Sequence, residues 1–206
     1  MRLQHPLEIV TPTLDGDVLA VLAGAQEWFA VHTINALIPG RSDEGIRKTL
    51  KRLISVGIVE ELSVSRAHLY RLNREHLGAE LIVQLASLKH VFFARLHNEM
   101  SQWDIPPIFA CIFGSAARDQ MSTGSDVDLF VIQPDKTSST QWDAQVLELT
   151  AHATLWIGSE VRPLLYTESE IRRLGSAEPV FEFIAKEGIH VCGERQSFLN
   201  LMKERQ

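Results

Sequence analysis

The chain has 206 residues, a formal net charge of −6, 45% hydrophobic and 22% charged residues, and two cysteines. That is an ordinary globular composition, with enough chain for one large domain or two small ones. No apolar run approaches the roughly 18 residues needed to span a bilayer, the N-terminus lacks a signal-peptide core, and no Cys/His cluster has zinc-site spacing; Cys111 and Cys192, both in apolar runs, read as buried thiols of a reducing cytoplasm.

There is no internal repeat and no low-complexity tract. Residues 11–26 predict a capped amphipathic helix with Leu14, Val18, Val21 and Leu22 on one side. Residues 28–38 predict a second, shorter helix stopped by Pro39-Gly40. Ser42 caps a third, whose first turn holds Asp43 and Glu44, where the helix dipole favours them. Its buried stripe is Ile46, Leu50, Leu53 and Ile54; Arg47, Lys48, Lys51 and Arg52 fall largely off it, and Gly57 ends it. Residues 58–64 and 68–73 read as two strands around Ser65-Arg66-Ala67. Three helices followed by a basic hairpin is the winged helix-turn-helix pattern, with the third helix fit for a major groove and Arg66 near phosphates.

Charge distribution supports that expectation more than the negative total opposes it. Between Ile46 and Arg74 lie Arg47, Lys48, Lys51, Arg52, Arg66, Arg71 and Arg74 against Glu60 and Glu61, a local balance of +5 that leaves −11 on the remainder. Double-stranded DNA is the expected partner of residues 1–75, through Arg47, Lys48, Lys51, Arg52 and Arg66. Symmetric DNA sites go with dimers, so a homodimer is expected. From Arg74 to Trp103, Leu77, Leu81, Leu85, Leu88, Phe92 and Leu96 recur at helical spacing without an obvious break. One long connecting helix, 76–104, is expected before the stiff Asp104-Ile105-Pro106-Pro107.

The second half, 105–206, alternates. Strands are expected at 108–113, 126–132, 160–167 and 189–193, and helices at 115–120, 139–153, 168–174 and 179–186. The fold class is therefore α+β, with a mixed sheet and flanking helices in this half. His152 and His190 stand in apolar contexts and read as packing residues rather than catalytic ones.

Residues 113–132, FGSAARDQMSTGSDVDLFVI, carry the chemistry. Gly114-Ser115 at a strand end offers close backbone approach, N–H groups and a hydroxyl, which suits a phosphate. Asp126 and Asp128, two apart on a strand, point the same way. A divalent cation removes their repulsion, and hard oxygen ligands suit Mg²⁺.

Gly-Ser, a nearby Arg and Asp-x-Asp followed by apolar residues resemble the signature of polymerase β-like nucleotidyltransferases in their minimal form. The first half resembles MarR/ArsR-type winged-helix regulators. The resemblance implies that Gly114 and Ser115 hold the triphosphate of an NTP, that Arg118 lies near the phosphates or stabilises the Gly-Ser loop, and that Asp126 and Asp128 ligate Mg²⁺ (or Mn²⁺), two ions in all. Ser125 reads first as a turn residue and second as a nucleotide-binding candidate touching phosphate or metal. It implies transfer of a nucleoside monophosphate to a hydroxyl of a protein, a nucleic acid or a small molecule. Asp119 stands where the family usually has Gly. The place of the family's third carboxylate falls on Arg162, and Glu160, two residues earlier on the same strand, is the candidate substitute. The alternative is a catalytically inactive nucleotide-sensing transcription regulator, or an antitoxin-like partner of a toxin.

Overall fold

The computed structural model describes residues 1–65 and 67–204, apart from the side chain of Ser176. Arg66, the residue expected at the hairpin tip, lies outside the described residues. The chain forms two compact units, one of residues 5–89 with Met1, the other of His90 onward with Arg2–Gln4. The division falls inside the segment expected to be a connecting helix.

Unit 1 starts with a 3-10 turn, Pro6–Ile9. There follow α1 (Leu14–Ala23), the two-residue strand β1 (Phe29–Ala30), α2 (Val31–Leu37), α3 (Asp43–Ser55), β2 (Val59–Val64), β3 (Ala67–Leu72) and α4 (Ala79–Ala86). The strands form an antiparallel sheet ordered β1-β3-β2. Ser42 caps α3 as expected, its Oγ accepting from the Gly45 N–H at 3.1 Å. Gly57 leaves α3 at φ +78°, a left-handed turn that glycine enters without a Cβ penalty. Leu22, Ile34, Ile46, Leu50 and Leu72 meet in one buried core. The Ile46/Leu50/Leu53 stripe of α3 is buried, and Ile54 is only partly so.

Three arginines of the basic cluster are tied into this unit. Arg52 pairs with Asp15 of α1, which also accepts from the Thr13 hydroxyl at 2.6 Å. Burial pulls the Asp15 carboxyl up, but the Arg52 guanidinium and Thr13 outweigh it and hold it below its ordinary value. Arg71 donates from Nε to Glu60 at 2.6 Å and lies over the Trp28 ring at 4.4 Å. Arg74 donates to the carbonyls of Ala23 and Ala25 at 2.9 and 3.0 Å, satisfying oxygens at the end of α1.

The unbroken helix expected over 74–103 is two helices, α4 and α5 (Leu88–Ser101). Residues 74–78 precede them as turns. Ser87 makes the break: its hydroxyl donates to the Gln84 carbonyl at 2.8 Å, and its N–H is shared between Val83 and Gln84. A serine that bonds its own preceding turn competes with helix propagation, and apolar spacing alone does not register that.

Unit 2 continues with β4 (Phe109–Phe113), α6 (Gly114–Ala117), β5 (Val127–Gln133), α7 (Ser139–Ile157), β6 (Val161–Thr167) and α8 (Glu168–Leu174). A 3-10 turn (Gly175–Ala177), α9 (Pro179–Glu187), β7 (Ile189–Gly193) and α10 (Arg195–Lys203) complete it. The sheet order is β6-β5-β4-β7, parallel between β5 and β6 and antiparallel elsewhere. This is the mixed sheet with flanking helices that α+β anticipates. β4 and β5 are central and almost wholly buried, so they read as apolar runs rather than as alternations. Alternate residues Phe109, Cys111, Phe130 and Ile132 face a core completed by Ile171 of α8, Phe181 and Ile184 of α9, and Phe198 and Leu201 of α10. Both cysteines are buried free thiols, and burial pushes Cys111 up to about 12, far from reactivity at neutral pH. Arg2–Gln4 joins this unit through Gln4, whose Nε2 donates to the Met121 carbonyl at 2.8 Å. Among the described residues no helix is long and apolar enough to cross a membrane.

α10 was not anticipated from sequence, yet its Phe198 stacks on Phe109 at 5.4 Å and meets Phe130 at 5.3 Å and Phe181 at 5.9 Å. Phe198→Ala empties that aromatic centre. It is expected to lower the unfolding free energy by about 3–5 kcal/mol, read as a reduced urea midpoint at unchanged m-value.

Candidate active site

The pairing of β4 with β5 sets Phe113 opposite Asp128, at the end of both strands. The chain then turns out of β4 through Gly114 at φ +69° into the four-residue α6. A Cβ built on Gly114 would stand 2.5 Å from Asp128 Oδ2. The Asp128 carboxylate therefore lies directly over the Gly114 backbone, and only glycine leaves it that place. Ser115 follows at the start of α6, and its carbonyl accepts from the Gln120 N–H at 2.9 Å. Gly-Ser and the second aspartate thus meet at one strand end, as their spacing predicts.

Asp126 differs in detail from the expectation. It sits one residue before β5 rather than within it, after a turn over residues 122–125. Ser125 closes that turn: its Oγ accepts from the Ser122 N–H at 2.8 Å and lies 3.0 Å from the Ser122 Oγ. This is the turn chemistry that serine supplies, and it engages the hydroxyl expected near a phosphate. The two aspartates nonetheless sense each other. Burial first, and the Asp126 charge second, push the Asp128 carboxyl above its ordinary value, against the opposing pull of Arg162 and Arg118.

Across the parallel pair β5/β6, Asp128 is in register with Arg162. Arg162 Nη1 lies 2.6 Å from Asp126 Oδ2, and its Nη2 lies 2.8 Å from Glu160 Oε2. Glu160 precedes β6, gives its backbone carbonyl to the Val127 N–H at 2.8 Å, and its side chain is 60% exposed. Its carboxyl is held below the usual value by the hydrogen bond and charge of Arg162. The candidate third carboxylate is thus bound to an arginine. Among the described residues, no group of three or more His, Cys, Asp or Glu side chains is arranged to hold a metal ion. Asp126 and Asp128 are hard oxygen donors of the kind that suits a divalent cation; of the two, Asp128 lies against the Gly114 backbone and Asp126 is engaged by Arg162.

Arg118 follows α6 and is exposed. It donates to Glu187 of α9 at 3.1 Å and to Gln120 at 3.3 Å. Asp119, where a glycine is usual, has φ +56° and is exposed. The conformation is one that favours glycine and that aspartate tolerates better than most residues, so the substitution keeps the turn. Sequence reasoning missed α9's part in the site. Val180, Phe183 and Glu187, with Phe113, Gly114 and Arg118, line an open cleft of about 480 Å³ beside the Gly-Ser turn. The available signal was Phe183, apolar yet off the buried Phe181/Ile184 stripe and 58% exposed. His152 and His190 are not packed as expected. Both are exposed, His152 3.1 Å from Glu99 and against Trp156, His190 2.9 Å from the Gly193 carbonyl, and neither is in the site.

The glycine-serine turn and the two aspartates stand together at one end of the mixed sheet. Residues 98–196 match the family described as "Polymerase beta, Nucleotidyltransferase", to which this part of the chain is similar. The chain aligns with a solved structure described as "Crystal structure of the toxin-antitoxin with AMP-PNP" at 16% identity, over 54% of this chain and 82% of that one, with a TM-score of 0.39. A likeness at that level supports no further comparison. No curated protein matches the chain.

The raised Asp128 fixes the sign of a stability effect. A carboxyl raised by folding contributes stability below the ordinary value of 3.8 and loses it as pH rises through its folded value. Asp128→Asn, which removes the buried charge, is expected to raise the melting temperature at pH 7 and to flatten the pH dependence in that acidic window. Scanning calorimetry from pH 3 to 7 checks both.

Proposed function

We propose that the chain is a DNA-binding nucleotidyltransferase that moves a nucleoside monophosphate from an NTP onto an acceptor hydroxyl. The observation that carries the reading is the close approach of the Asp128 carboxylate to the Gly114 backbone. In the reaction, the acceptor oxygen bonds the α-phosphorus, the bond from that phosphorus to the bridging oxygen of pyrophosphate breaks, and the hydroxyl proton leaves. Such transfer needs positioning and charge neutralisation rather than covalent help from the protein. Gly114 and Ser115 supply backbone and hydroxyl at close approach to the triphosphate. Asp126 and Asp128 would hold a divalent cation, which would supply charge neutralisation on the transferring group. Arg118, an exposed cation lining the cleft with Gly114, exchanges Glu187 for phosphate.

A second reading rests on a specific observation, the Arg162 bridge between Asp126 and Glu160. In it the same site binds nucleotide without turnover, and binding alters DNA affinity. Pyrophosphate separates the two. With α-labelled NTPs, Mg²⁺ and candidate protein, nucleic-acid and small-molecule acceptors, the enzyme labels an acceptor and releases pyrophosphate, and Asp128→Ala abolishes both. A chain that binds NTP yet labels nothing across nucleotides and acceptors leaves only the second reading.

DNA binding is assigned to residues 1–75, read as a winged helix-turn-helix with α3 as the groove helix. Arg47, Lys48 and Lys51 are exposed along it. Arg47 and Lys51 line a hollow of about 360 Å³ with Ile54, Glu61, His68 and Tyr70 of the following hairpin. Arg52 is assigned instead to holding α3 on Asp15. Arg47→Ala and Lys51→Ala are each expected to weaken DNA binding roughly three- to tenfold and to lower the salt slope by about one, whereas Arg52→Ala lowers stability. Gel retardation over a salt series measures this, and no retardation by the wild type at low salt overturns the assignment.

A further inference from the structure

Resting on the nucleotide reading above, the geometry points to a site that takes one divalent cation per nucleotide, with the Arg162 guanidinium as a permanent internal cation beside it. Three observations converge. Arg162 stands opposite Asp128 in the β5/β6 register. Its Nη1 is 2.6 Å from Asp126 Oδ2, so one oxygen of a metal-binding carboxylate is already engaged. Its Nη2 is 2.8 Å from Glu160, the carboxylate that a second ion would need.

Arg162 itself argues against two ions: its guanidinium does not lose its proton in proteins, and it already engages the Asp126 and Glu160 oxygens that a second ion would take. A guanidinium also matches carboxylate and phosphate oxygens with a planar fork of donors, which a second ion would otherwise bind. Arg162 is 58% exposed and Glu160 60%, so the bridge faces the solvent side where nucleotide arrives rather than the core.

The test counts ions on the full chain. Free Mn²⁺ is followed by electron paramagnetic resonance during titration into protein saturated with triphosphate analogues whose α–β bridge is a methylene, for ATP, GTP, CTP and UTP in turn. One Mn²⁺ per bound nucleotide is expected for the wild type and for Arg162→Lys, which keeps the charge. Two are expected for Arg162→Asp, an exposed substitution whose fold circular dichroism verifies. Two ions in the wild type, or one in a folded Arg162→Asp, overturns the proposal while leaving nucleotide binding intact. Failure of every analogue to bind overturns the nucleotide reading itself, and the proposal with it.

Discussion

Asp128 must bring a carboxylate over the Gly114 backbone, and most of unit 2 is arranged around that approach. A Cβ at residue 114 would stand 2.5 Å from its oxygen, and the turn out of β4 takes φ +69°, so both the approach and the backbone favour glycine there. The β4/β5 ladder fixes the pairing that makes the approach possible, since Phe113 and Asp128 are partners in it. A slip of one residue would turn Asp128 to the other face of the sheet. The buried strands hold that register through packing: Ile112, Leu129, Phe130 and Val131 are fully buried on the two faces, and a slip would exchange side chains of different shape between two close-packed layers. Core packing and site geometry are therefore one constraint seen from two ends.

Placing two carboxylates together costs stability, and the fold meets that cost with cations rather than by separation. Burial and Asp126 raise Asp128, while Arg162 and Arg118 oppose the rise. The arginines are not equivalent. Arg118 is tied to Glu187 and Gln120, away from the aspartates, and is exposed. Arg162 grips Asp126 directly and is held from behind by Glu160. Exposed pairs of this kind contribute little to folding free energy, so the bridge is better understood through what the site admits than through stability.

Much of this was legible in the sequence because it is local. Ser42 before Asp43-Glu44 marked the start of α3, and the apolar runs at 108–113 and 126–132 marked the central strands. The Gly-Ser and Asp-x-Asp spacing marked the site because a turn, a strand end and a carboxylate must meet within one hairpin-like unit. What escaped was decided by partners distant in sequence or by one competing hydrogen bond. Ser87 splits an apolar-periodic stretch through its own backbone contacts. α10 earns its place only by filling the aromatic centre formed by Phe109, Phe130 and Phe181. Glu187 and Phe183 reach the Gly-Ser turn from α9, some seventy residues on.

The basic cluster shows why counting charge is weaker evidence than tracing it. Seven cations lie between Ile46 and Arg74, which by number alone describes a polyanion-binding face. Arg52 is committed to Asp15, Arg71 to Glu60 and the Trp28 ring, and Arg74 to the carbonyls that end α1. Each holds unit 1 together and gives up donors that a phosphate would need. Arg47, Lys48 and Lys51 remain exposed on α3, within two turns of one helix. Tyr70, raised by burial and by Glu61, keeps its proton and donates it to Glu61 at 3.4 Å, so that hollow carries no second negative charge from the tyrosine. Among the described residues, the cations of the cluster left without such a commitment are thereby concentrated on one helix.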